Sequence, residues 1–353
     1  MSREILEALV RDGEFVAAQH SFAGADLAGA DASGGLFEGA DFAGARLHGA
    51  DFREATFSKC RFDGADLSGC DLSSATFHEC TMTGVDFGRA KMVLTNIVKG
   101  ELGGASLRGA DLTDAKIIEC GLDGAGFAGA RMLRVGILKC RTPGMDLGGA
   151  FMESGAIFEG DLGRVSFSGA RFKNVTFKDC SLAGSSLPGL EFLAGQMMDC
   201  DLTGCDLTRA NLRQTGFIKS ILHHARLDGA QMAMGICMEA KLQNASLRGA
   251  DLANAVFSKA DLTEADFTGA RLYQAILIQA VATRAKFAQC DMTYADLSHA
   301  DIEQADFSGA TLTRAILHGT NDRNAYMPNR RQAMPPDAER IQADAWQDRW
   351  RKP

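Results

Sequence analysis

Residues 57–80 read FSKCRFDGADLSGCDLSSATFHEC, and the stretch nearly restarts itself after twenty residues. Phe57-Ser58-Lys59-Cys60 returns as Phe77-His78-Glu79-Cys80, with the charge in third place reversed. A shorter period lies inside the longer one. Phe57, Phe62, Leu67, Leu72 and Phe77 stand five residues apart, and two residues before each sits Ala55, Cys60, Ala65, Cys70 or Ala75. Extended both ways, the large position runs from Phe22 to Leu317 without an insertion. Only Ala32, Thr142, Cys237 and Ala282 depart there from Leu, Phe, Met or Ile, and the small column is broken clearly at His20, Met145 and Leu190.

A helix repeats its apolar face every 3.6 residues and a strand every two, so neither produces this pattern. One large and one small apolar residue in every five require a chain that turns at each unit and sends both side chains inward. Asp or Ser often precedes the large residue and Gly often ends the unit, as in Ala65-Asp66-Leu67-Ser68-Gly69. Both types suit tight turns, Asp by bonding nearby backbone and Gly by its conformational freedom. Four turns close a square coil of twenty residues, which accounts for the period.

Units such as Ala110-Asp111-Leu112-Thr113-Asp114 and Ala265-Asp266-Phe267-Thr268-Gly269 match the signature A(D/N)LXX. Over residues 20–317 the chain therefore resembles the pentapeptide-repeat family. The resemblance implies an all-β fold, a right-handed quadrilateral parallel β-helix of about fifteen coils, roughly 70 Å long at the ~4.8 Å strand spacing.

The ends read differently. Residues 1–19 form an N-terminal helical cap, with Ser2 as N-cap and Ile5, Leu6, Leu9 and Val10 facing the first coil. Such a cap covers a sheet edge that would otherwise invite association. Residues 318–353 hold four of the six prolines and both tryptophans, and read as a linker and C-terminal helix. Trp346 and Trp350 share one helical face there. They serve either to cap the last coil or to dock a partner or second copy, since Trp is a frequent interface anchor.

Nine of the ten cysteines, Cys60, Cys70, Cys80, Cys120, Cys140, Cys180, Cys200, Cys205 and Cys290, occupy the small inward position, and Cys237 the large one. They read as buried, packed thiols. The net charge of −8 lacks the basic stripe of a general nucleic-acid binder. The N-terminus has no signal-peptide pattern and no window is apolar enough to span a bilayer. A cytoplasmic protein without membrane or direct nucleic-acid contact is expected.

With the core assigned, function falls to the outward positions. On the face of the opening stretch, the residue after the large one reads Val98, Ile118, Leu138, Phe158, Lys178, Met198, Ile218 and Met238. The lattice asks for nothing apolar there, and at that strand spacing the stripe extends ~35 Å. Leu94, Leu133, Phe151, Leu193 and Met234 lie beside it. The next column alternates in sign, Lys59, Glu79, Lys99, Glu119, Lys139, and reads as a ladder of ion pairs between coils. Its one fault, Glu159-Asp179-Asp199, places three carboxylates in succession beside Lys178.

Nothing in the pattern supplies a nucleophile with its base or a phosphate-cradling loop. The adjacent His223 and His224 find no further ligands among their stacked neighbours, so no catalytic, cofactor or metal residue is assigned. The expectation is a non-enzymatic scaffold or adaptor that binds a protein through Val98, Ile118, Leu138, Phe158, Met198, Ile218 and Met238, with Glu159, Asp179 and Asp199 contacting a basic residue. Homodimerisation through the tail or the apolar face is a further expectation. Fold-level likeness to family members that accompany bacterial secretion systems suggests that setting. The alternative implied by the resemblance is a regulator of DNA gyrase that mimics duplex DNA, as quinolone-protecting members of the family do. The greasy face and thinly spread charge depart from that type.

Overall fold

The computed structural model describes residues 1–335 and 337–350, apart from the side chains at 345 and 347–350. It is a parallel β-solenoid that falls into two compact units, Met1–Ser181 and Leu182–Pro353. In the first unit, α1 (Arg3–Arg11) precedes eleven short strands: β1 (Leu36–Glu38), β2 (Thr56–Ser58), β3 (Thr76–His78), β4 (Asn96–Val98), β5 (Lys116–Ile118), β6 (Arg131–Leu133), β7 (Gly136–Leu138), β8 (Phe151–Glu153), β9 (Ala156–Phe158), β10 (Arg171–Lys173) and β11 (Thr176–Lys178). The second unit carries β12 (Glu191–Leu193), β13 (Gln196–Met198), a 3-10 turn at Arg330–Gln332 and α2 (Ala338–Trp350).

Every pairing is parallel and nearly every one steps by twenty residues. Phe37 stands over Phe57, Phe57 over Phe77, and Ile117 over Ile137 in the first unit. In the second, bridges such as Leu-flanking Asp206↔Arg226 and Asp306↔Tyr326 continue the same step. Regular strands fill one face of eight successive coils in the first unit. Most other coil faces meet only through isolated bridges, so strand-bearing coils are fewer than the fifteen expected.

The five-residue lattice becomes geometry directly. The large side chains are buried, Phe57, Leu67 and Leu262 among them, and even the exceptions Ala32, Thr142 and Cys237 stay inside. On most faces the amide of the small residue bonds back three residues, as Ala55 N to Phe52 O at 3.1 Å. The last residue of nearly every unit takes positive φ, at Gly69 (65°) as at Glu54 (62°). Gly tolerates that conformation without the Cβ penalty other residues bear. Aspartates before the large residue accept the amide two residues on, Asp71 from Ser73 at 3.0 Å and Asp206 from Thr208 at 3.0 Å.

The face of the opening stretch departs from this turn. Among the described residues, the small residues closing β1 to β11 on that face make no bond back three residues. Where the next coil carries a cysteine the amide can turn to it: Gly100 N donates to Cys120 Sγ at 3.3 Å and Cys120 N to Cys140 Sγ at 3.4 Å. The thiols in turn donate to carbonyls, Cys120 to Ile97 O and Cys140 to Ile117 O. A buried amide must find an acceptor, and stacked sulfurs provide it. The cysteine column thus does more than the packing expected of it.

Both ends are closed. Leu6 of α1 is fully buried, Arg3 donates to Ala28 O at 2.9 Å and Glu7 accepts from Asp31 N at 3.1 Å. Ile5, expected to face the coil, points outward at 46 % exposure. Ser2 precedes α1 in extended conformation but makes no side-chain cap bond. At the other end the coil continues past residue 318, where a linker was expected, through Asn321 and Tyr326. Gln332 then bonds Leu312 N through its side chain and Arg314 N through its carbonyl, and Met334 N bonds Ala315 O. Next to Pro143, Thr142 Oγ1 donates to the Asp161 carbonyl at 2.5 Å, and the Pro143 carbonyl accepts from Gly124 N at 2.9 Å.

Candidate functional site

In a three-residue strand the middle side chain enters the core and its neighbours face out. Strands β4, β5, β7 and β9 each show this burial pattern, with Ile97, Ile117, Ile137 and Ile157 inside. Their third residues are Val98, Ile118, Leu138 and Phe158, aligned by the register Val98↔Ile118, Ile118↔Leu138 and Leu138↔Phe158. All four are half-buried. Gly136 and Ala156, on the other outward column, keep the surface beside them low.

The adjoining face adds half-buried Leu133 and Phe151, the latter under Arg171 at 5.6 Å, and Leu94 at 53 % exposure. The apolar column ends at Lys178, whose Nζ lies 2.8 Å from Asp179. Asp179 is therefore neutralised by its own neighbour. Glu159 is exposed at the preceding corner.

In the second unit, Met198 and Ile218 are half-buried and Met238 is 39 % exposed, with Asp199 exposed beside Met198. A second apolar column accompanies them that sequence reasoning passed over. Ile236, Val256 and Ile276 precede the large residue on the same face and bridge one another in register. Half-buried Ile278 extends the patch. The signal was present in the sequence, since three successive coils carry Ile236, Val256 and Ile276 where Thr56, Thr76, Asn96 and Lys116 stand earlier on this face.

The expected ion-pair ladder does not form. Lys59, Glu79, Lys99, Glu119 and Lys139 all sit at left-handed corners with φ of 53–55°. Each is exposed, and among the described residues none of these side chains reaches an ion-pair partner in a neighbouring coil. Charges twenty residues apart do pair, on other faces: Arg61–Asp41 at 2.7 Å, Arg134–Asp114 at 2.6 Å and Lys173–Glu153 at 2.8 Å. In the second unit Arg284–Glu264 and Arg271–Asp251 do the same at 2.7 and 3.3 Å. The Arg61 guanidinium holds the Asp41 carboxyl below its usual range, and Arg134 does so for Asp114. Surface carboxylates are thus largely engaged with basic partners and turn amides.

All ten cysteines are buried thiols outside any disulfide. Burial pushes Cys70, Cys237 and Cys290 up to about 12. Such thiols are poor nucleophiles at neutral pH. His224 is exposed and His223 half-buried, at a corner with no grouping of ligand atoms around them among the described residues. Trp346 is 62 % exposed on α2. Trp350 ends that helix, and its side chain lies outside the described residues. No helix of the described residues is long and apolar enough to cross a membrane.

Two family models match. The one described as "Pentapeptide repeats" matches residues 196–232, 236–272, 265–304 and 290–321, and "Pentapeptide repeat region" matches residues 34–107. No curated protein sequence matches the chain. Among solved structures it is similar to HetL, a pentapeptide repeat protein involved in heterocyst differentiation regulation from the cyanobacterium Nostoc, at 20% identity over 74% of this chain and 90% of that one, TM-score 0.25. It is similar also to QnrB1, a plasmid-mediated fluoroquinolone resistance protein, at 19% identity over 62% of this chain and 97% of that one, TM-score 0.33. A pentapeptide repeat protein, Rfr23, from the cyanobacterium Cyanothece is 24% identical over 37% of this chain and 90% of its own, TM-score 0.16.

Proposed function

The chain belongs to the pentapeptide-repeat family, and from that premise we propose that it is a non-enzymatic scaffold or adaptor that docks a partner protein on an apolar face. The observation that carries this reading is the register-aligned column Val98, Ile118, Leu138 and Phe158, left half-exposed on rigid strands where the fold requires no apolar residue. Covering the exposed half of such a side chain is worth ~1 kcal/mol at about 25 cal/mol per Å2. Four of them with Leu94 and Leu133 make a plausible centre for an interface with a polar rim. Glu159 supplies a carboxylate at that rim for a basic partner residue. In the second unit Met198, Ile218 and Met238, with Ile236, Val256 and Ile276, offer a comparable surface.

An adaptor of this kind fits the expectation of a role in a bacterial secretion system, where cargo must be held without being unfolded. Mimicry of duplex DNA toward gyrase is less well supported, because the carboxylates of the repeat are engaged with Arg, Lys and turn amides. The test is affinity capture from the native organism with wild type and Ile118→Asp/Phe158→Asp. Both positions face outward, so circular dichroism should show intact coils. A partner held by wild type and lost by the double variant supports the reading. Equal recovery of every partner sinks it, and gyrase subunits among equally recovered proteins would favour mimicry.

A further inference from the structure

His299, His318 and Asp344 are far apart in sequence and meet at the last coil. His318 follows the large residue Leu317 and its side chain is only 9 % exposed. His299 stands at the corner of the preceding coil, and its amide donates to the His318 carbonyl at 2.7 Å. The ladder therefore fixes the two histidines relative to each other, with ring centroids 5.2 Å apart and nearly perpendicular. Asp344 comes from α2 and places Oδ2 2.7 Å from His318 Nε2 and 3.6 Å from His299 Nε2. The three ligand atoms all lie within 4.8 Å of one another.

Gly319 marks the arrangement independently. A Cβ there would lie 2.5 Å from His299 Nδ1 and 2.8 Å from its Cε1, so only glycine lets that ring fold over the coil. Beside the cluster is a cavity of about 1020 Å3 lined by Ile316, Leu317, Met327 and Ile341. Of its three arginines, Arg330, Arg331 and Arg340, the first and last are drawn to Asp322 and Asp337, at 2.9 and 3.7 Å.

We propose that His299, His318 and Asp344 bind a divalent transition metal, zinc(II) by preference, that clamps α2 onto the last coil. Two imidazoles and a carboxylate suit zinc, with bonds of about 2.0–2.2 Å to each, which sets ligand atoms about 3.3 Å apart in a tetrahedron. The observed separations bracket that value, so small side-chain rotations suffice. His299 and Asp344 are 40 % and 37 % exposed, leaving the fourth position open to water or a partner's side chain.

The experiment uses the full chain, stripped with a chelator and titrated with zinc(II) alone by calorimetry, and with cobalt(II) by visible absorption. One equivalent should bind. His299→Ala and Asp344→Asn should each weaken binding by roughly 10–100-fold or more, while His223→Ala/His224→Ala should leave it unchanged. Zinc should also slow tryptic cleavage at Arg331 and Arg340 in wild type and not in Asp344→Asn. No zinc bound at micromolar concentration, or binding indifferent to His299→Ala and Asp344→Asn, overturns the site. Binding that leaves tail cleavage unaltered overturns the clamp.

Discussion

The same coil face is built in two ways in the two units. In the first, its small column reads Ala40, Cys60, Cys80, Gly100, Cys120, Cys140, Gly160, Cys180, and the face is strand. In the second, past Cys200, it reads Ser220, Ala240, Ala260, Ala280, Ala300, and each amide closes a tight turn, as Ala260 N to Phe257 O at 3.0 Å. On the strand face Gly100 N and Cys120 N find stacked sulfurs in the next coil. Sulfur alone does not set the strand, since Ala50 N beside Cys70 still closes a turn to Leu47 O, and β3 forms where the next coil offers Gly100. The sulfur is an acceptor the strand can use where it is present.

The largest way to break the comparison is in the cores of the two versions. Phe37, Phe57 and Phe77 stack at 4.6 and 4.8 Å under the strand face. Phe77→Ala should cost about 3–5 kcal/mol, read as a lowered urea midpoint. A smaller and sharper test concerns the acceptor itself. Cys120→Ala leaves the Gly100 amide unpaired and should cost about 1–3 kcal/mol, while Cys120→Ser should recover most of it. Amide exchange at Gly100 should quicken in the alanine variant only. Unchanged stability in both would mean that the sulfur is a spectator.

The smallest effect per group is alkaline. Folded thiols such as Cys70, Cys237 and Cys290 hold their protons to about 12, and Cys205 to about 11. Unfolded thiols lose theirs near 8.5. The unfolded chain therefore sheds protons first, so this stability is intact below about pH 8.5 and declines as pH rises toward the folded values. Each thiol should contribute about 1.4 kcal/mol per pH unit in that window. Raised thiols lie in both units, Cys70, Cys80 and Cys120 in the first and Cys205, Cys237 and Cys290 in the second, so both should weaken over this range. Denaturation midpoints measured between about pH 8 and 11 would show the decline.

Much of this was legible in the residues. Spacing alone placed Phe22 to Leu312 inside, because a core of one large and one small side chain leaves no other phase, while Leu317 at the end of the lattice is only half-buried. The column Val98 to Phe158 was equally readable as outward. The charge ladder was misread because a column in sequence is not yet a contact. Its members stand at left-handed corners, but so do Asp114–Arg134 and Glu264–Arg284, which pair, so the corner conformation alone does not explain why this column stays open. Ile236, Val256 and Ile276 were missed for want of reading both outward columns. The grouping of His299, His318 and Asp344 was beyond reach, since it needs the position of a helix that the repeat does not encode.

The closed ends carry a last consequence. Parallel, in-register chains with stacked phenylalanines and unspent amides at their margin are the surface on which a fibril grows. Here Arg3 and Glu7 occupy that margin at Ala28 and Asp31, and Gln332 and Met334 occupy it at Leu312 and Ala315. Helix α1 is thus a chain terminator in the sense of polymer chemistry. It keeps a sequence made of addition units from behaving as a monomer supply.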